Sequence, residues 1–164
     1  MDRNLDVIGA VSAYDSILWT NRFYEPGTFK ATFIFSRDMN RWLQCGNILY
    51  KDDEPQPGII TRKYLKLNKK GEQTIQVQGY MASRLLNRRI IWEKTTLKGT
   101  PEEAMRQLVS QQVINPVIQK KKMPLISLGE LKGYEGAISK QVTYDNLQET
   151  LKAIAKTSGL GYRL

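Results

Sequence analysis

An alternation of apolar and polar positions in the first half of the chain predicts β-strands. In residues 27–35 every second position is apolar, and a period of two places these side chains on one buried face: Phe29, Ala31, Phe33 and Phe35. Residues 59–67 and 72–80 are two further predicted strands. The segment Asn68-Lys69-Lys70-Gly71 is a predicted hairpin turn, because Gly71 can adopt the positive φ that a short turn requires.

Shorter features fall between these strands. Ser36 is a predicted N-cap for a short helix that continues to Leu43 and stops at Gly46. The one cysteine, Cys45, is predicted to be a small buried apolar residue rather than a nucleophile. Residues 52–58 contain three consecutive acids and two prolines, which predicts an exposed loop.

In the second half the apolar period lengthens to about 3.6 and predicts helices. Thr100 is a good N-cap, Pro101 suits the first helical position, and Glu103 completes a capping box. This helix is expected to reach about Ile114, and Asn115-Pro116 ends it because the residue before proline disfavours helical geometry. Its predicted apolar face consists of Ala104, Met105, Leu108 and Val109.

A second helix is predicted near the end of the chain, with Asp145 in its first turn and Ser158-Gly159 as its stop. Its predicted apolar face consists of Leu147, Leu151, Ile154 and Ala155. Residues 125–128 and 137–143 are predicted to be strands or extended connections. Residues 160–164 are expected to begin a strand, whose partner lies upstream or outside this sequence.

The amino-acid composition limits the catalytic and metal-binding sites that this chain could form. The 164 residues include no histidine and one cysteine, so catalytic triads, the common zinc sites and an internal disulfide lack their ligands. Carboxylates are the remaining catalytic candidates, but nothing in the sequence predicts a buried pair with distinct environments. We therefore expect no enzymatic activity, cofactor or metal. No segment approaches the roughly 20 apolar residues of a membrane span, and no leader is evident, so we expect a soluble, unprocessed protein.

The net charge of +9 permits a nucleic acid or an acidic surface as partner. The densest basic run, Lys120-Lys121-Lys122, is expected to be a solvated loop, with a phosphate-binding site as the alternative. Aromatic residues near basic ones, Tyr64, Tyr80 and Trp92, also fit the stacking surface of a single-strand-binding barrel. A nucleic-acid-binding β-barrel module is therefore the alternative function.

An ordered set of segments spanning nearly the whole chain resembles the tail-hub proteins of siphophages and prophages, also called tail-associated or baseplate hub proteins. No single segment is diagnostic, and the resemblance lies in their order: YDSILWTNRFYEPGTF, GNILY, GIITRKYLKL, RLLNRRIIW, GTPEEAMRQLV, INP, LGELKGYEG and QVTYDNLQETLKAIAKTSGLGYRL. The resemblance implies an α+β fold. A tube-like antiparallel β-barrel would occupy residues 1–94. A small α/β domain, incomplete at its C-terminus, would occupy residues 95–164.

The same resemblance implies a structural role in a bacteriophage or prophage virion. The protein would form a baseplate hub ring below the tail tube, as a homotrimer, and contact the distal tail, tape measure and tip proteins. It would be made in the cytoplasm of the bacterial host and reside in the tail tip, with DNA passing through the ring's lumen without specific binding.

A hub that lets DNA pass should not line its lumen with lysines, since these would hold phosphates. The excess positive charge is therefore expected to face outward or to lie in subunit contacts. The interface candidates are Arg84, Arg88 and Arg89. Arg84 and Arg88 would share a face if Ser83 began a helical turn, and guanidinium groups suit interface carboxylates.

Overall fold

The computed structural model describes residues 1–11, 13–67 and 71–164, and their contacts divide them into two compact units. The first unit comprises Met1–Arg22, Pro26–Ser83 and Arg163–Leu164, and the second comprises Phe23–Glu25 and Arg84–Tyr162. Because these units are defined by contacts alone, the domain division predicted at residues 94 and 95 stays a prediction.

The first unit contains a curled, half-barrel antiparallel sheet. Its strands are β1 (Ser16–Thr20), β2 (Thr28–Ile34), β3 (Ile48–Leu49), β4 (Gly58–Leu67) and β5 (Gln73–Met81), in the order β1-β2-β5-β4-β3. A short helix, α1 (Arg37–Trp42), follows β2, and Ser36 caps it by accepting a hydrogen bond from the Met39 N–H at 3.1 Å.

The core of the first unit follows the period of two in β2. Phe29, Ala31 and Phe33 are buried, whereas Lys30 and Ile34 on the opposite face are exposed. Strand β5 adds Ile75, Val77 and Met81, β4 adds Ile60, and α1 and its C-cap add Met39 and Leu43. Burying each large apolar side chain contributes about 1.5–3 kcal/mol, so this alternation is the main reason that the sheet forms.

The second unit combines a two-stranded sheet with two helices. Strands β6 (Thr95–Gly99) and β7 (Ile138–Val142) pair antiparallel, and α2 (Pro101–Val109) packs against β6 and against α3 (Leu147–Ser158). Irregular helices complete it: a 3₁₀-helix at Ala82–Arg88 that begins in the first unit, a π-helix at Ser110–Ile114 and a 3₁₀-helix at Gln119–Lys121.

Most predicted elements are confirmed. The fold is α+β, the strands predicted at 27–35, 59–67 and 72–80 are present, and β7 lies within 137–143. Gly71 has φ +77°, as the hairpin turn requires, while residues 68–70 of that turn lie outside the described residues. The capping box is formed, because Thr100 Oγ1 accepts from the Glu103 N–H at 3.2 Å and Glu103 Oε2 accepts from the Thr100 N–H at 2.9 Å.

The helix predictions need three local corrections. The first helix reaches Ile114 as expected, but its last five residues are π-helical and Val109 is only half-buried. The second helix starts after Asn146, whose Oδ1 accepts from the Glu149 N–H at 3.3 Å, so Asp145 precedes the cap instead of lying in the first turn. Asparagine is as good an N-cap as aspartate, and only one of these neighbours can occupy the position.

Other predictions are wrong. Cys45 is exposed, because it lies in the turn after α1 with its Sγ 3.5 Å from the Thr61 carbonyl. In the segment 52–58, Gln56 is buried and accepts a hydrogen bond from the Ser83 hydroxyl at 3.1 Å. Residues 160–164 form no strand, and residues 125–128 form a connection, which is one of the two predicted alternatives. Their backbone groups have no neighbouring strand among the described residues.

Candidate interface surfaces

Strand β4 presents an uncovered edge. It pairs with β3 only at Gly58 and Ile59, and two hydrogen bonds with Gly46 and Asn47 extend this contact to Ile60. Beyond that point, within the described residues, no strand pairs with the outer side of β4 as far as Leu67. Unpaired backbone groups on such an edge can accept a strand from another chain.

The same stretch carries apolar side chains that the core leaves uncovered. Leu65 lies directly opposite Ile75 on β5, and such partners share one face of a sheet. Ile75 is 0% exposed, whereas Leu65 is 62% exposed and Leu67, two residues further on that face, is 69% exposed. Apolar side chains thus extend beyond the buried core of the sheet, along the part of β4 whose outer edge is unpaired.

Lys63 lies on this face between the core and the two leucines. It is opposite the buried Val77, and its Nζ donates to the Asn40 carbonyl oxygen. Loss of hydration on burial lowers the pKa of Lys63 from its usual value. An inward-pointing lysine is a known protection against indiscriminate strand pairing. Lys63 therefore limits indiscriminate strand pairing along this edge.

The outer face of the sheet is basic and polar. The outward positions of β2, β4 and β5 include Lys30, Arg62 and Lys66, and no acidic residue occupies an outward position of these three strands in the described residues. Tyr64 and Tyr80 lie on this face, as the nucleic-acid alternative requires. Lys66 covers Tyr64, with its Nζ 5.4 Å from the ring centroid, and also donates to Gln76 Oε1 at 2.5 Å.

The three predicted interface arginines lie at the 3₁₀-helix Ala82–Arg88, and they do not form one face. A 3₁₀-helix has three residues per turn, so Arg84 and Arg88, four residues apart, point about 120° apart. The expectation that they share a face is wrong for this reason. Both side chains are exposed, which leaves their proposed role in contacts untested.

Arg89 makes internal hydrogen bonds, and its predicted role in subunit contacts stays a prediction. Its Nη2 donates to the Lys121 carbonyl oxygen at 2.5 Å, and its Nη1 donates to the Arg88 carbonyl oxygen at 3.2 Å. Burial, and secondarily the charge of Arg88, lowers the pKa of the Arg89 guanidinium from its usual value. Lys121 belongs to the basic run expected in a solvated loop. Lys120 and Lys122 are exposed, but the run lies partly in the short 3₁₀-helix Gln119–Lys121.

Glu102 has a role that the sequence did not predict. It is 9% exposed and accepts hydrogen bonds from the backbone N–H groups of Lys132 at 2.8 Å and Tyr134 at 3.2 Å. These bonds, with the Lys132 N–H first, lower the pKa of the Glu102 carboxyl. On the same helix, Arg106 donates to the carbonyl oxygens of Gly129 and Glu130. The segment LGELKGYEG is thereby fixed against α2.

The whole sequence matches one family model, described as Siphovirus ReqiPepy6 Gp37-like protein, over residues 1–164. The chain belongs to this siphovirus family. The bacteriophage origin implied by the resemblance is therefore confirmed. No curated protein matches the chain. The family description names neither a hub nor a partner, so those parts of the resemblance belong to the proposal below.

Two further findings concern the described residues of this Gp37-like protein. None of its helices there is long and apolar enough to cross a bilayer. Within those same ranges, no three Cys, Asp or Glu side chains are grouped so that they could hold a metal ion. The candidate functional features of the described residues are surfaces: an uncovered strand edge, a basic sheet face and a segment fixed against a helix.

Proposed function

We propose that this Gp37-like protein is a structural component of the siphovirus tail tip, where its copies form the hub ring below the tail tube. In this role it connects the tube to the tip proteins, with the distal tail and tape measure proteins as its other neighbours. The copies form a homotrimer, and the chain carries no enzymatic activity. Family membership along the whole chain supports the phage context, and the uncovered edge of β4 supports assembly.

The uncovered edge is the observation that carries the proposal. A closed ring of identical copies needs two unlike surfaces on each copy, because each contact is head-to-tail. The sheet offers such a pair, since β1 ends the strand order on one side while the free part of β4 lies on the other. Pairing these edges between copies would continue the sheet around the ring and would bury Leu65 and Leu67.

The proposal also predicts where the excess positive charge lies in the ring. DNA passing through the ring must not be held, and each lysine contact with a phosphate strengthens binding through counterion release. Lys120–Lys122 and the exposed Arg84 and Arg88 therefore lie outside the lumen or in contacts between subunits. The lumen binds DNA at no specific site.

The test uses phage or prophage particles that carry variants of the full-length protein. In the double variant Leu65→Lys and Leu67→Lys, two ammonium groups would have to be buried in the contact, which costs several kcal/mol per unpaired charge. We expect tails without a tip ring and a large loss of infectious particles. Both side chains are exposed in the isolated chain, so its melting temperature should change little.

Leu131→Lys is the matched control, because this leucine is also exposed but lies outside the sheet. Tails with this variant should be normal. If the double variant assembles rings as well as the control does, the β4 edge is not the contact and the proposal loses its support. If the protein is missing from purified tails, the structural role itself is wrong.

A further inference from the structure

A groove of about 560 Å³ in the second unit has a composition that the structural role does not explain. It lies beside the end of α2, where the chain changes from α-helical to π-helical geometry at Ser110. Its lining includes one indole, four carboxamides and two lysines: Trp92, Gln107, Gln111, Gln112, Asn115, Lys94 and Lys121. π-Helical turns are rare and frequently occur at functional sites.

Trp92 provides a flat surface in this groove. The indole is 56% exposed, and the edge-on ring of Tyr144, with centroids 6.0 Å apart, supports it from one side. Lys121 Nζ lies 5.4 Å from the centroid of the indole. A cation–π contact at an exposed site is weak, and the lysine side chain is flexible, so a stacking ligand can displace it from the ring.

The basic run beside the groove has a fixed backbone. Arg89 binds the carbonyl oxygen of Lys121, and the Met123 N–H donates to the Val113 carbonyl oxygen at 2.9 Å. Lys120 and Lys122 flank this point and are exposed. Lys94 also lines the groove, against one acidic lining residue, Glu93, so the surroundings attract an anion.

We propose that this groove binds single-stranded nucleic acid. One base stacks on Trp92, which needs an unpaired base because both faces of a base are occupied inside a duplex. The carboxamides of Gln111, Gln112 and Asn115 donate and accept hydrogen bonds at base edges, and Lys121 turns from the indole to a phosphate. A neutral sugar would also suit an indole and carboxamides, but it would not use the lysines.

The test is fluorescence anisotropy of a labelled oligodeoxythymidylate of about 20 nucleotides with the full chain, at several salt concentrations. Base stacking predicts that Trp92→Ala weakens binding roughly 5- to 150-fold. Trp92→Phe retains a ring and should lose much less. Lys121→Gln should lower the slope of log K against log salt by about 0.7, which is the value for one phosphate contact in a single strand.

The chain contains a matched control. Lys66 covers Tyr64 at the same 5.4 Å on the sheet of the first unit. Tyr64→Ala and Lys66→Gln therefore remove an equivalent pair outside the groove, and binding should not change. Circular dichroism of each variant separates loss of binding from loss of structure. If Trp92→Ala does not fold, the binding of Trp92→Phe and Lys121→Gln is compared with that of wild type instead.

Three results would overturn the proposal. One is absence of binding by the wild-type chain at tens of micromolar protein and low salt. Another is binding that Tyr64→Ala removes and Trp92→Ala leaves intact, which would place the nucleic acid on the sheet. The third is displacement of the oligonucleotide by a neutral oligosaccharide at comparable concentration, which would show that the groove recognises a sugar.

Discussion

Substitution of Gly79 by alanine should strongly destabilise the first unit, because the sheet leaves no space for a β-carbon there. Gly79 lies in the central strand β5, opposite Phe29 on β2 and Ile60 on β4. An added Cβ would lie 1.9 Å from the Ile59 carbonyl oxygen and 2.6 Å from Cε1 of Phe29. The first neighbour is backbone of the paired strand, so it cannot move away as a side chain could.

The expected loss follows from these distances. Relieving the clash requires β4 and β5 to separate by roughly 1 Å, which breaks ladder hydrogen bonds worth about 1 kcal/mol each. Overpacking against the Phe29 ring adds about 1–3 kcal/mol. We expect the free energy of unfolding to fall by about 3–4 kcal/mol, which is a large part of the roughly 5–15 kcal/mol that holds a typical domain folded.

Urea unfolding followed by tryptophan fluorescence and far-ultraviolet circular dichroism measures this change. The midpoint should fall by about 1–4 M, given a typical dependence of about 1–3 kcal/mol per molar urea. Gly129→Ala is the control, because a Cβ there meets nothing within 4 Å, and its effect should stay within about 0.5 kcal/mol. Equal stability of Gly79→Ala and wild type would show that β4 and β5 are not paired in this register.

Two further predictions concern ionisable groups in the second unit. The pKa of Glu102 is below its usual 4.5, so its contribution to stability is present above that pH and is lost as the pH falls through the lowered value. Glu102→Gln should therefore lower the melting temperature at pH 7, and its difference from wild type should shrink as the pH falls below 4.5. Glu130→Gln changes an exposed carboxylate and should have little effect on the melting temperature at pH 7. Burial, together with Glu149 and Glu25, raises the pKa of Tyr162 to about 12, so stability should fall between about pH 10 and 12 in wild type and less in Tyr162→Phe. At pH 7 the melting temperature of Tyr162→Phe should match that of wild type, because the buried hydroxyl has no hydrogen-bond partner in the described residues. A clear loss of stability at pH 7 would contradict this.

The sequence predicts those parts of the fold whose causes are local. The alternation in β2 and the capping box at Thr100 each lie within a few residues, and both form as predicted. Gly71 is a similar case, since only the turn itself determines its positive φ. Periodicity and capping therefore suffice for β2, β4, β5 and the start of α2, whereas the sequence analysis predicted neither β1 nor β3.

The features that sequence reasoning missed depend on distant residues. Gln56 is buried because Ser83 pairs with it, and Glu102 is buried because the N–H groups of Lys132 and Tyr134 converge on it. No local pattern indicates either contact. The helix Ala82–Arg88 is a related case, because its sequence suits both α-helical and 3₁₀-helical geometry. Which of the two forms decides whether Arg84 and Arg88 share a face.

Cryo-electron microscopy of tails from a phage that encodes this protein tests the central proposal most directly. We predict a closed ring of three copies below the tail tube, with the β4 edge of each copy, including Leu65 and Leu67, buried against the next copy and Lys120–Lys122 outside the lumen. A single copy without rotational symmetry, or a ring in which that edge faces solvent and the lysine run lines the lumen, would contradict the proposal.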